Sequence, residues 1–485
     1  MKKPNFLLKP QRMSLKMNLK KVGLFSIGPA AAALLSFISL PILTWIFSPD
    51  VIGKFEILRL VCSFSVLVFS FGLDQAYVRE YHESTDKIKL LKVALLPPTL
   101  IMLSCASVLY AYKDFFIYAL YESSNANLFA ITIIAVFVSV FSRFLSLVFR
   151  MGENGLLYSI SMALPRLLTL VGLLIFLYSE KSWSFEDLSW LHVISLLLVL
   201  IWMVATFRSE LFTNWKGTLD KKLIKSMTSY GFPLMLSSFA YWGLTAMDRV
   251  FLNTYSTLEE VGIYSVAARF AAGAAIFQQV FSTVWAPTIY KWASEDSPNL
   301  NKIDDIVDKV LAVVIVLFCL GGLLSWVLGY ILPKVYYDVQ FIFVPCLAFP
   351  LFYTLSEVTV IGVGITKKTH FALGASILAL CVNLVLNWWL VPILGARGAA
   401  ISTAIAFYVF FIARTESSVF VWISFKRKRM YLFTGFVLIL LVGQSLLGKE
   451  NLSAALFLWF LLLVVSVIWN RNSLSSLFSA KGLKY

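Results

Sequence analysis

A chain of 485 residues, 59% of them apolar and only 14% charged, lies outside the composition of soluble proteins and reads as a membrane protein with many spans. About fourteen spans of about 22 residues would leave only short loops and two tails, which excludes enzymes carrying a folded catalytic unit outside the bilayer. The formal charge of +15 is spread over the segments between spans, so it points to topology and not to a nucleic-acid partner.

Behind a basic leading segment, apolar runs bounded by turn residues predict spans near 22–47, 57–78, 90–110, 128–148, 156–178, 188–207 and 227–252. Seven more are expected near 261–290, 310–328, 341–365, 371–391, 398–422, 431–447 and 452–469. An even number places both ends of the chain on one side. That side holds 29 of the Lys and Arg residues, against six on the other: Lys54, Lys113, Lys181, Lys334, Arg397 and Lys449. The positive-inside rule makes the richer side cytoplasmic, so both termini are expected in the cytoplasm. No small-residue cleavage site follows the leading segment, which reads as a retained tail able to touch anionic lipid head groups. Cys62, Cys105, Cys319, Cys346 and Cys381 all fall inside apolar runs and read as packing residues.

The chain repeats itself. Ser48-Pro49-Asp50-Val51-Ile52-Gly53-Lys54-Phe55 resembles Thr257-Leu258-Glu259-Glu260-Val261-Gly262-Ile263-Tyr264 at an offset of 209, and Arg59 and Arg269 follow the two copies. Gly152-Glu153-Asn154 and Gly364-Ile365-Thr366 repeat at an offset of 212. The expected organisation is a basic tail (1–21), a six-helix bundle (22–207), a linker (208–226), a second six-helix bundle (227–424), two further helices (425–470) and a closing tail (471–485). Because six is even, the two bundles share one orientation.

Six arginines lie within spans: Arg59, Arg143, Arg166, Arg249, Arg269 and Arg414. A charge near the bilayer centre costs about 2.5 to 3.5 kcal/mol even on the lenient insertion scale, so these side chains are expected to face protein or water along a translocation path. Arg166 stands out, near mid-depth, directly after Pro165 and with no acidic neighbour in sequence. Glu56, Asp74, Asp248, Glu357 and Glu416 are the acids in or at the edge of spans; they read either as partners in structural ion pairs or, for Asp74, Asp248, Glu357 and Glu416, as ion-coupling or gating groups. Catalysis finds no support. The extracytoplasmic loops are short, the longest near Tyr112 to Ala126, and none clusters carboxylates. No Gly-rich phosphate loop is present, and His82, His192 and His370 stand isolated, so no metal and no cofactor is expected. Energy would come from an ion gradient, H+ or Na+, or from the cargo's own gradient.

Several motifs carry a family resemblance. Tyr230-Gly231-Phe232-Pro233-Leu234, Trp242, Asp248-Arg249 and Glu260-Val261-Gly262-Ile263-Tyr264-Ser265-Val266-Ala267 form one block. Asn383-Leu384-Val385-Leu386-Asn387, Pro392 and Gly395-Ala396-Arg397-Gly398-Ala399-Ala400-Ile401-Ser402-Thr403 form a second. Leu40-Pro41, Gly53, Phe71-Gly72-Leu73-Asp74 and Arg79 fit less specifically. In this order and spacing the blocks resemble the polysaccharide-exporter branch of the multidrug/oligosaccharidyl-lipid/polysaccharide exporter superfamily. The resemblance implies an all-α membrane fold of about fourteen helices, with two six-helix bundles arranged as a V around a central cavity. It also implies a flippase for undecaprenyl-diphosphate-linked oligosaccharide units of O-antigen or capsule type, in the bacterial cytoplasmic membrane. Implied partners are the polyprenyl-diphosphate-linked oligosaccharide, membrane lipids, a polysaccharide polymerase and a chain-length regulator.

The residues are consistent with such a cargo. A diphosphate needs cations that stay charged and bind oxygens bidentately, which guanidinium does. Sugars need aromatic faces, for which Tyr241, Trp242, Trp285, Tyr290 and Trp388 are candidates, although Trp and Tyr also populate membrane interfaces. Two rivals stand: a cation-coupled multidrug antiporter of the same fold, in which acids would dominate the cavity, and a membrane polysaccharide polymerase. Asn383, Asn387, Gly395 and Gly398 read as packing and turn residues.

Overall fold

A computed structural model describes residues 19–84, 86–179, 181–207, 221–279, 281–282, 285, 300–366, 368, 370–424 and 426–471. Most of both tails, most of the expected linker, and Tyr290 lie outside the described residues. Among these residues every regular element is helical.

The first group comprises α1 (Leu19–Ile46), α2 (Pro49–Ser70), α3 (Leu73–Glu80), α4 (Lys87–Ala111), α5 (Lys113–Tyr121), α6 (Asn127–Met151), α7 (Gly155–Tyr178) and α8 (Phe185–Thr206). The second comprises α9 (Lys221–Tyr255), α10 (Leu258–Ala271), α11 (Leu300–Leu324), α12 (Leu328–Ile331), α13 (Val339–Cys346), α14 (Ala348–Thr359), α15 (Ile361–Ile365), α16 (His370–Leu394) and α17 (Ala396–Val421). Two helices close the chain, α18 (Lys428–Leu447) and α19 (Leu452–Trp469). Among the described residues, twelve helical segments are long and apolar enough to cross a bilayer, and α2 with α3 would make a thirteenth as one bent span. The seventh expected span falls within α9. Its 35 residues rise about 52 Å, ample for a crossing, although its polar content keeps it outside the twelve. The chain is a multi-pass membrane protein.

Three local features depart from the sequence reading. The second expected span, 57–78, breaks: α2 ends at Phe71 (φ 51°) and Gly72 (φ 71°), both left-handed, and α3 leaves at 57°. Gly72 is glycine for a second reason, since its backbone lies directly against that of Gly231 in α9, where a Cβ would collide with a carbonyl. The expected longest loop contains α5, anchored by buried Ile117 and by Tyr121, whose hydroxyl lies 3.0 Å from Thr132 Oγ1. Finally, α9 spans Lys221–Tyr255, starting before the expected 227, and Pro233 sits in its interior.

Helices of the first group pack on one another, α1 on α7, α2 on α6, and α8 on both α6 and α7. In the second group α17 packs on α16 and α14, and α9 on α16; α19 lies against α11, and α18 against α13 and α17. The groups meet along α2, which crosses α10 near its start and approaches α9 at its end. At the α2–α10 crossing the two repeat glycines face each other: a Cβ on Gly53 would strike the Leu258 carbonyl, and one on Gly262 the Pro49 carbonyl. Nearby, Tyr336 donates to the Phe47 carbonyl (2.7 Å) and Trp45 to that of Ile331 (3.0 Å). All five cysteines are free thiols, with Cys62, Cys319 and Cys346 buried.

Candidate functional site

From Gly53 the α2 face that meets α10 continues at three-residue steps through Glu56 to Arg59, and from Gly262 the facing surface of α10 continues to Ser265 and Arg269. The repeat therefore brings two arginines from different halves to one carboxylate. Glu56, 5% exposed, accepts from Arg59 Nη1 at 3.1 Å and forms an ion pair with Arg269 Nη2, and its other oxygen lies 4.0 Å from Arg249 Nε. Arg249 is held in place by donating to Ser265 Oγ (3.1 Å) and the Thr245 carbonyl (3.3 Å).

Arg59 and Arg269 also line a cavity of about 440 Å³ enclosed by α1, α2, α7, α8 and the end of α10. Arg166, Thr169, His192, Ser36, Ser39 and Phe55 complete its polar and aromatic wall. Leu34, Phe37 and Ile276 line it too and are exposed, so the cavity has an open, apolar mouth between α1 and the segment after α10. Arg166 enters at the middle of α7 and has no hydrogen-bond or ion-pair partner among the described residues. A guanidinium at that depth without a counterion costs several kcal/mol unless water or an anion meets it. His192, isolated in the sequence, packs edge-on to Phe55 (5.3 Å) in this same wall.

A second polar centre lies in the other half. Asp248, 1% exposed, accepts from Tyr264 (2.5 Å), Thr403 (2.5 Å), Asn387 (2.7 Å) and Asn383 (3.1 Å). Asn387 also donates to Asn383 Oδ1, while its own Oδ1 is buried with no partner. In this nest two hydroxyls and two amide N–H groups thus converge on one buried carboxylate, which keeps its oxygens hydrogen-bonded away from water. Asn383 and Asn387, read from sequence as packing residues, belong to it; two amides one turn apart on a membrane helix were the available signal.

The remaining charged candidates pair off elsewhere. Arg143 donates twice to Asp74 Oδ2 (2.8 and 3.1 Å). Arg414 meets Glu357 at 3.0 Å and donates to Ser356 Oγ (2.8 Å), with the Tyr353 and Phe410 rings 5.4 and 5.0 Å away. Glu416 accepts from Arg427 (2.7 Å) and Tyr431 (2.6 Å). Among the aromatic candidates, Tyr241 and Trp388 are exposed on the surface and Trp285 is buried. Trp242 donates to Ser63 and lines a separate apolar cavity of about 520 Å³ between α2, α4, α6 and α9.

Known proteins share this architecture. A family model described as Polysaccharide biosynthesis protein matches residues 18–292. The chain is 25% identical over 262 residues to Multidrug resistance protein NorM of Vibrio vulnificus strain YJ016, covering 51% of this chain and 56% of that protein. It is 21% identical over 222 residues to Probable low-salt glycan biosynthesis flippase Agl15 of Haloferax volcanii, covering 45% and 46%. The chain thus spans about half the length of the curated relatives it matches. Lipid II flippase MurJ in its inward closed conformation is similar with a TM-score of 0.67 at 16% identity, over 93% of this chain and 99% of that one. An inward-facing multidrug resistance MATE family transporter of the MOP superfamily gives 0.54 at 15% identity, over 80% and 95%. The family match runs over residues 18–292, more than half of the chain, so the chain belongs to the polysaccharide biosynthesis protein family, and its all-helical fold is shared with the solved flippase and transporter.

Proposed function

We propose that this protein flips a polyprenyl-diphosphate-linked oligosaccharide unit, of O-antigen or capsule type, from the cytoplasmic to the periplasmic leaflet of a bacterial cytoplasmic membrane, without covalent chemistry. The observation that carries the reading is the convergence of Arg59, Arg166 and Arg269 on a cavity whose mouth is open and apolar, with Arg166 lacking a protein counterion among the described residues. Guanidinium groups suit a diphosphate, and the lateral opening lets a polyprenyl tail stay in lipid while its head group enters. The likeness to two proteins named as flippases supports the cargo class. A cavity wall whose charged members are arginines disfavours cationic drugs, the cargo of the rival antiporter.

In this reading the halves 22–207 and 227–424 rock about the α2–α10 and α2–α9 contacts, both termini are cytoplasmic, and the Asp248 nest takes the coupling ion, H+ or Na+. A polymerase and a chain-length regulator are the partners that would consume the flipped unit. The test is extraction of lipid-linked sugars from a deletion strain with leaflet-specific accessibility. Complete units should accumulate facing the cytoplasm, with polymer absent; complete units mainly on the periplasmic face would overturn the assignment, because unassisted passage of a diphosphate and several sugars through about 30 Å of hydrocarbon is prohibitively slow.

A further inference from the structure

The lateral opening creates a selectivity problem. Leu34, Phe37 and Ile276 give the cavity an exposed apolar mouth, and with that mouth in lipid every anionic phospholipid in the leaflet would offer its phosphodiester to the arginines inside. Two of those arginines are already engaged, however, by a carboxylate that belongs to the wall's own helix.

We propose that Glu56 is a specificity-determining residue, a built-in counter-anion that keeps singly charged lipid head groups out of the cavity and yields to a diphosphate. The proposal rests on the reading of the cavity as a head-group site. Glu56 occupies Arg59 and Arg269 together, leaving Arg166 as the cavity arginine without a partner among the described residues. Three guanidinium charges on the wall less one carboxylate leave a net charge of +2. A phosphodiester, with one charge, can pair with Arg166 but leaves the cavity cationic and gains nothing from the two arginines that Glu56 holds. A diphosphate carries a second anionic group beyond the first. It can pair with Arg166 and also exchange for Glu56 on Arg59 and Arg269, each a bidentate, charge-assisted partner.

The displaced carboxylate is not left stranded, which would be costly for a buried charge. The Arg249 guanidinium, held by Ser265 and Thr245 with its Nε 4.0 Å from the other Glu56 oxygen, supplies a counter-charge for Glu56 when Arg59 and Arg269 turn to the cargo. The exchange occurs three residues from Gly53, at the crossing of the two halves, so head-group entry also acts on the contact between α2 and α10.

The test uses the full chain in phosphatidylcholine nanodiscs and measures geranylgeranyl diphosphate binding with and without phosphatidylglycerol, a monoanionic competitor. Wild-type affinity should change by no more than about twofold on adding phosphatidylglycerol, whereas that of Glu56→Gln should weaken on the order of tenfold, because free arginines now accept the monoanion. Arg166→Ala should lose diphosphate binding in either lipid. If Arg166→Ala binds normally, the cavity reading fails and this proposal with it. If Arg166→Ala loses binding while Glu56→Gln is as indifferent to phosphatidylglycerol as wild type, the cavity reading stands and the role of Glu56 is overturned. Should Glu56→Gln not fold, Glu56→Asp, with its carboxylate drawn back by one methylene, should show the same sensitivity, and indifference there overturns the proposal equally.

Discussion

The basic cavity and the Asp248 nest draw on corresponding positions of the sequence repeat and carry opposite charge. Ser39, Phe55 and His192, in the cavity wall, stand 209, 209 and 211 residues before Asp248, Tyr264 and Thr403 in the nest, matching the offset of the sequence repeat. Where one half places Ser39, the other buries the carboxylate of Asp248. Their access differs as well. The cavity has an open mouth lined by exposed apolar side chains, whereas Asp248 is 1% exposed and accepts four hydrogen bonds. A duplicated frame thus yields sites of opposite sign through a few side chains, because in a low-dielectric interior one buried charge dominates its surroundings.

The largest expected effect breaks the basic side. Arg166→Ala or Arg269→Ala should abolish surface-glycan assembly at normal protein abundance, and the Lys variants should retain part of it, since charge survives but bidentate geometry does not. Complementation of a deletion strain, read by glycan immunoblot, checks this. Normal export by both Ala variants would return these arginines to packing roles and dissolve the contrast.

Next, Asp248→Asn attacks the acidic side, replacing the acceptor of four hydrogen bonds by a neutral amide. Transport in proteoliposomes should fall at least about tenfold and lose its response to an imposed Na+ or H+ gradient, an effect on the scale of one buried charge-assisted contact. An unchanged gradient response would show that the nest is only structural.

A smaller effect is expected where the two halves touch. Gly262→Ala drives a Cβ into the Pro49 carbonyl and should cost about 1 to 3 kcal/mol in thermal stability, as overpacking does, while raising thiol labelling of Ser48→Cys beside the crossing. Gly374→Ala, with nothing within 4 Å of the new Cβ, is the control and should be neutral or slightly stabilising. Equal behaviour of the two variants would remove the crossing as a mechanical element.

Smallest of all, a double-mutant cycle on Asp74 and Arg143 should give a coupling of no more than about 1 kcal/mol, with export near normal, because Arg143 is more than a third exposed and belongs to neither centre. A large loss of export without loss of stability would move this pair onto the transport path.

Much of this was legible in the chain. Apolar runs marked most of the helices, and the paired Gly53 and Gly262 motifs marked the residues that meet where α2 crosses α10. Glu56 was legible as an ion-pair partner but its arginines were not, and His192 read as isolated, since the groups around them lie on α7, α9 and α10, far along the chain. The break at Phe71 and Gly72 was hidden for a similar reason: an apolar run does not reveal that Gly231 will press against it.

The sequence by itself determined which segments cross the bilayer and which charged residues they must carry with them. Those are local consequences of a hydrocarbon layer of set thickness that penalises charge. Which arginines find a carboxylate was decided only by the tertiary structure. Arg143 meets Asp74 across 69 residues of chain, Arg269 reaches Glu56 from the opposite half, and Arg166 meets none among the described residues. Pairing depends on how distant helices pack, and that packing leaves one guanidinium facing an opening in the wall.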